Sequence, residues 1–369
     1  MEKGPPKRAV GCGVAVFYLL MALANLETGE EMKTDARVTT VDFARGLMAS
    51  AVMTYHLLYW EGIADVERIG FYAVYGFFVI SGFSLQVAYR DKLGNADQLR
   101  RFAIRRYARI APLFYTAIVL YLLQNQMPDR WPILFLANFS LALGFMHPGD
   151  TSMLVGGWSI GVEMVFYVLF PWIVMLAALS VRRLAVMAVA ALLVQMIFVN
   201  DALAGLGSMA EGWVRYTEPI AFIGYFVVGM LFAELYKARP YLKGAPIAPA
   251  IALLCLVPFI LLPGSASIDL LRGWQGFTLA MATIILVGAA AFVREPSGRL
   301  LQLSEWIGKL SYPIYLLHPI VFVFVRDHGT PTSTLRIVLT LTGTFSAAYL
   351  VNRFVEEPCR NYGRRLTAG

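Results

Sequence analysis

Charge is what this sequence has least of. Of its 369 residues only 15% are Asp, Glu, Lys or Arg, whereas 58% are hydrophobic, and so little charge cannot cover a soluble globule of this size. Cysteine is scarce as well: Cys12, Cys255 and Cys359 lie far apart, which excludes a disulfide framework and the paired spacing of a zinc site. The sequence contains no GxSxG elbow, HExxH, Walker-type loop or dinucleotide fingerprint, so chemistry run through those devices is excluded too. No metal and no permanently bound cofactor is expected. The net charge of +7 does not point to nucleic acid, because Lys and Arg cluster in short segments between apolar runs, as in loops that orient a membrane protein.

What is present is a succession of apolar runs long enough to cross a bilayer. The expected fold is an all-α, polytopic transmembrane bundle of about ten spans: 41–60, 70–89, 107–124, 158–179, 184–198, 219–236, 247–262, 274–293, 311–325 and 335–354. The run 131–146 is shorter, contains Asn138 and sits between polar loops, so it reads as re-entrant or interfacial. Between Arg90 and Arg109 there are seven Lys or Arg against two Asp, which assigns that loop to the cytoplasm and, with the basic tail 353–365, puts both ends of the bundle inside the cell membrane. Residues 1–31 do not fit. Ala9 to Asn25 resembles a signal peptide, and taken literally it would invert every later span; either the segment does not cross fully or, the favoured reading, the natural chain begins at Met32, with one transmembrane domain over 32–369.

Ionisable side chains inside such runs are costly and become the functional candidates. The first run, VDFARGLMASAVMTYHLLYW, carries Asp42, Arg45 and His56. Arg45 and His56 share a helix face about 16 Å apart, and Asp42 lies one turn before Arg45, at pairing distance. FFVISGF, 77–83, interrupts a second apolar helix with Ser81 and Gly82, suited to close helix approach and a cross-bundle hydrogen bond. RRYARIAPLFY, 105–115, sets Arg106 and Arg109 one turn apart, a fork for phosphate oxygens or a pair of snorkelling anchors. GGWSIGVEMVFYVLFP, 156–171, buries Glu163, with Arg45, His56 and His318 as candidate partners; paired to His56 it could fix the imidazole tautomer. LSYPIYLLHPIVF, 310–322, supplies Tyr312, Tyr315 and His318 around two prolines, either lining a polar cavity or packing around kinks. The tail FVEEP, 354–358, reads as a helix exit without chemistry, and His147 and His328 as solvated outer-loop residues.

Taken in order, these residues resemble the membrane-bound acyltransferase-3 family. The resemblance runs from about Arg37 to Arg364 and rests on six motifs: Arg45 and His56 with ten residues between them, FFVISGF, the Arg106–Arg109 pair before a proline, Trp158–Ser159 with Glu163 and Phe166–Tyr167, Ser311–Tyr312 with Tyr315 and His318, and Glu356–Glu357–Pro358. It implies transfer of an acyl group, most often acetyl, from cytoplasmic acyl-CoA to a hydroxyl or amine on a glycan, with polysaccharide-assembly proteins as candidate partners. Arg45, Arg106 and Arg109 would hold the donor phosphates. His56 would act as general base or as an acyl relay, the two being equivalent from sequence. Tyr312, Ser81 or Trp158 would face the oxyanion. The sequence does not include the hydrolase-like domain carried by some members, so the expectation is that a second transfer step needs another protein or does not occur. Two other classes remain: a proton-coupled transporter or exporter of a lipid-linked sugar, which predicts inverted repeats that the sequence does not display, and a multi-pass scaffold for polysaccharide synthesis.

Overall fold

The computed structural model describes residues 38–177, 180–262 and 268–368, so the expected start at Met32 and the 1–31 extension lie outside the described residues. Among those residues the structure is helical throughout, with no strand. The order is α1 Thr39–Trp60, α2 Glu67–Tyr89, α3 Ala96–Gln124, α4 Trp131–Phe139, α5 Gly157–Ala177, α6 Val181–Ala202, α7 Met209–Tyr216, α8 Ile223–Ala238, α9 Ile247–Leu254, α10 Val257–Leu261, α11 Gly273–Phe292, α12 Gly298–Asp327 and α13 Ser333–Val351. A π-helical turn, Asn352–Glu356, then leads into α14 Glu357–Arg365.

Among the described residues, seven helical segments are long and apolar enough to cross a membrane: α2, α3, α5, α6, α11, α12, and α13 running on into α14. Three of the ten expected spans do not meet that requirement on their own. Helix α1 has the length, but Asp42, Arg45 and His56 lower its mean hydropathy; α8 has 16 residues, about 24 Å against a hydrocarbon core of about 30 Å. The run 247–262 breaks between α9 and α10 at Cys255 and Leu256. Helix α4, at nine residues, is too short to span, as the interfacial reading requires.

Long apolar side chains on α6, namely Val186, Val189, Leu193 and Ile197, stay exposed at helical spacing and form a face fit for lipid. The inner faces of α2, α5 and α8 meet through aromatic rings, with Phe78 edge-on to Phe166 at 5.5 Å and Phe166 tilted on Phe226 at 4.8 Å. Helices α2 and α8 cross with backbones touching, because Gly82 faces the Phe226 carbonyl and Gly229 faces the Val79 carbonyl. A Cβ at either position would strike that oxygen. This is the small-residue contact expected of FFVISGF. The crossing fixes Ser81, next to Gly82, against α5.

Candidate active site

Parts of α1, α2, α3, α5, α12 and α14 enclose a cavity of ≈ 190 Å³. Its basic end presents six guanidiniums, from Arg45, Arg105, Arg106, Arg109, Arg360 and Arg364. Arg45 pairs with Asp42 at 2.7 Å and donates to the Ser84 hydroxyl at 2.9 Å, the i,i+3 pairing expected from the sequence. Arg106 donates to the Tyr89 hydroxyl at 3.0 Å and lies over the Tyr89 ring at 5.0 Å, while its Nε is buried without a partner. The side chain of Arg109, one turn along α3, makes no hydrogen bond or ion pair among the described residues, although Glu356, Glu163 and Asp42 lie within electrostatic reach. Guanidiniums walled by protein and left without acceptors favour an anionic occupant.

Midway along the cavity Glu163 accepts hydrogen bonds from Ser81 at 2.9 Å and Tyr167 at 2.6 Å. Its expected pairing with Arg45, His56 or His318 is not formed among the described residues. Tyr167 stands one turn after Glu163 on the same helix face and satisfies the carboxylate locally. Tyr312 also lines the cavity, but its hydroxyl donates to the Ile110 carbonyl at 3.0 Å. Trp158 lies outside the lining and packs edge-on to Trp213 at 5.6 Å and against Phe222 at 5.4 Å. The three expected oxyanion donors therefore meet other demands: Ser81 and Tyr312 have committed their hydrogens, and Trp158 is a packing residue. At the far end Tyr315 and Ser159 share a hydrogen bond at 2.8 Å beneath the Gly156 carbonyl, and Tyr315 meets Phe77 edge-on at 5.6 Å.

The cavity stops there. His56 does not line it: Phe77 and Tyr315 close that end, so the helix face that Arg45 and His56 share is not open along its length. Beyond Tyr315, whose ring is 6.4 Å from that of His318, lie the two histidines, His56 Nδ1 and His318 Nε2 being 2.8 Å apart. His318 Nδ1 is 2.9 Å from the Ile314 carbonyl oxygen. A carbonyl only accepts, so His318 Nδ1 carries the proton and its Nε2, in the neutral ring, is an acceptor. His56 must then donate through Nδ1, which leaves the lone pair on His56 Nε2. The imidazole is held flat against Trp60, with centroids 4.7 Å apart and planes 5° apart. The tautomer control assigned to Glu163 by sequence thus belongs to His318, 262 residues away in the chain.

Three arginines and two tyrosines of the lining, Tyr89 and Tyr167, escape the sequence reading. Arg105, Arg360 and Arg364 read as orienting charges, and FVEEP as a helix exit without chemistry; the structure makes that tail a wall of the cavity and buries Glu356 at 2% exposure. Tyr167, four residues after Glu163, had a signal in its spacing. His147 and His328 lie in exposed positions away from the cavity, bonded to Glu218 and to the Phe324 carbonyl respectively.

A helical membrane bundle with buried arginine, carboxylate and histidine is the class these features define. Residues 38–353 match the family model described as an acyltransferase domain, and the chain belongs to that acyltransferase family. Among curated proteins it is 26% identical to the peptidoglycan O-acetyltransferase OatA of Listeria monocytogenes over 88% of this chain, but it spans only 56% of that protein's length. It is 25% identical to the acyltransferase MdmB of Streptomyces mycarofaciens over 89% of this chain and 93% of the relative, and 27% identical to the exopolysaccharide production protein ExoZ of Rhizobium meliloti over 82% and 93%. No solved structure matches the chain.

Proposed function

We propose that this protein is a membrane O-acyltransferase that moves an acetyl group from cytoplasmic acyl-CoA to a hydroxyl of a cell-surface or exported glycan. The supporting observation is the cavity, cationic at one end and ending beside a histidine pair at the other. Arg45, Arg106 and Arg109 hold the donor diphosphate by charge-assisted hydrogen bonds. The pantetheine arm runs past Ser81 and Tyr312 toward Tyr315, and the Phe77–Tyr315 contact parts to bring the thioester to His56.

There His56 Nε2 takes the proton of the acceptor hydroxyl as its oxygen attacks the thioester carbon. The C–S bond then breaks, and the departing thiolate recovers that proton from His56. During the step His56 carries a positive charge while Nδ1–H still donates to His318, so the histidine pair supports the charged ring without moving. General base action of this kind is worth about 10² to 10⁴ in rate. The relatives' names, peptidoglycan O-acetyltransferase and exopolysaccharide production protein, support a glycan as the acceptor class.

The test is release of free CoA thiol from acetyl-CoA by membranes containing the protein, supplied with cell-surface glycan. Release that requires the glycan is the expected result. No release, together with movement of a sugar across the bilayer, would replace the enzyme by a carrier.

A further inference from the structure

We infer that α14 gives the donor cavity a second anion subsite, in which Arg360 and Arg364, with Arg105 of α3, bind the phosphate monoester on the ribose of the donor nucleotide. The inference rests on the acyl-CoA reading above.

Helix α14 is built into the cavity wall. Gly363 lets it sit directly on α3, where a Cβ would lie 2.6 Å from that of Ala108. Just beyond, Thr367 is 2% exposed and pinned by α3: its carbonyl accepts from Arg101 at 2.9 Å and its hydroxyl from Arg105 at 2.8 Å. At the other end the π-helical turn buries Glu356, which holds Arg360 at 3.3 Å and Asn352 at 3.2 Å. A π turn of this kind recurs at functional positions.

Arg360 and Arg364 are four residues apart, so they project from one face of α14, and both line the cavity. The Arg364 guanidinium makes no hydrogen bond or ion pair among the described residues, the residue's carbonyl alone accepting from Thr367. Arg105 begins the same row on α3 and Arg109 ends it about 6 Å further along the helix. The arginines therefore fall on two walls: Arg45, Arg106 and Arg109 on α1 and α3, and Arg360 and Arg364 on α14, with Arg105 tied to the end of α14 through Thr367. A carrier with a diphosphate and a separate ribose phosphate presents two anionic groups along one molecule, matching two sets of guanidiniums.

The test uses the full-length protein in neutral phosphatidylcholine nanodiscs and compares binding of acetyl-CoA with that of its 3′-dephospho analogue. The wild type should bind the dephospho compound about 10-fold or more weakly, the usual loss on removing a charged hydrogen-bond partner. Arg364→Gln should weaken acetyl-CoA to that level and leave the dephospho affinity where it was, while Arg364→Lys recovers part of the difference. Arg364 has no partner to orphan, so its variant is the informative one if Arg360→Gln does not fold.

Equal binding of the two donors by the wild type, or an equal loss of both in Arg364→Gln, overturns the subsite and leaves the donor assignment standing. Binding of neither donor overturns both. If affinity is equal for the two donors but falls when anionic lipid is added, the arginines serve a lipid headgroup instead, which also overturns the proposal.

Discussion

His56 keeps its lone pair on Nε2 only while His318 keeps its proton on Nδ1, so the two histidines have different duties. Replacing His56 by Ala should lower acyl transfer by at least about 10² in turnover while leaving the yield of folded protein unchanged; near-normal turnover would make His56 a packing residue. His318→Ala should lower kcat without raising the KM for acyl-CoA. His318→Gln should restore part of the loss, because an amide oxygen can accept from His56 Nδ1–H as the imidazole does. If Ala and Gln behave alike, the tautomer argument fails. The sequence displayed Arg45, Asp42 and His56 because their spacing lies on one helix. It could not display the His56–His318 bond, which joins residues 262 apart and depends on how α1 and α12 face each other. Glu163 is opaque for a related reason: a buried carboxylate announces that it needs partners, but nothing in the sequence beyond its spacing marks Tyr167, an aromatic residue in an apolar helix, as the donor.

The helices were legible because each carries a long apolar run, and their contacts follow from the small residues within them. Gly82→Val should prevent α2 and α8 from meeting, since the side chain would enter the Phe226 carbonyl; aggregation or loss of a monodisperse peak in size-exclusion chromatography is the expected readout. What the runs did not reveal is the break at Cys255 and Leu256, or the turn at Asn352–Glu356 that carries the tail onto α3. The Arg residues of that tail obey the same positive-inside pattern as any orienting loop, so their second use was hidden.

At the other end of α1, Arg336 of α13 donates to both oxygens of Glu61 at 2.6 Å. These bonds hold the Glu61 carboxyl below its ordinary value of 4.5. A depressed carboxyl stabilises the fold above that value, and its contribution is lost as pH falls through the folded-state pKa. Glu61→Gln should therefore lower the thermal midpoint at neutral pH, and the gap from wild type should close only as the pH drops below about 4.5. A gap that persists unchanged in acid would show that the pair does not couple to folding.

The whole bundle has one basic end and one end marked by the histidine pair, and the orientation across the membrane decides whether the cavity opens where acyl-CoA is found. The charge pattern puts Glu295 inside and His328 outside. With the native cysteines replaced, a membrane-impermeant thiol reagent applied to intact cells should label His328→Cys and spare Glu295→Cys; the reverse pattern would turn the cavity away from the donor. Family membership extends over residues 38–353, so most of the molecule was recognisable from six short motifs, each weak alone and informative in sequence. The closure of the cavity by Phe77 and Tyr315 was not, because two aromatic residues in apolar helices look like ordinary core.

The most direct test is a sided one. Protein reconstituted in vesicles with its basic end facing inward, loaded with acetyl-labelled acetyl-CoA and bathed in glycan acceptor, should place label on the external glycan, and His56→Ala should abolish that signal. Equal labelling by the wild type and by His56→Ala, or labelling only of an acceptor enclosed with the donor, would contradict transfer through the bundle by way of His56.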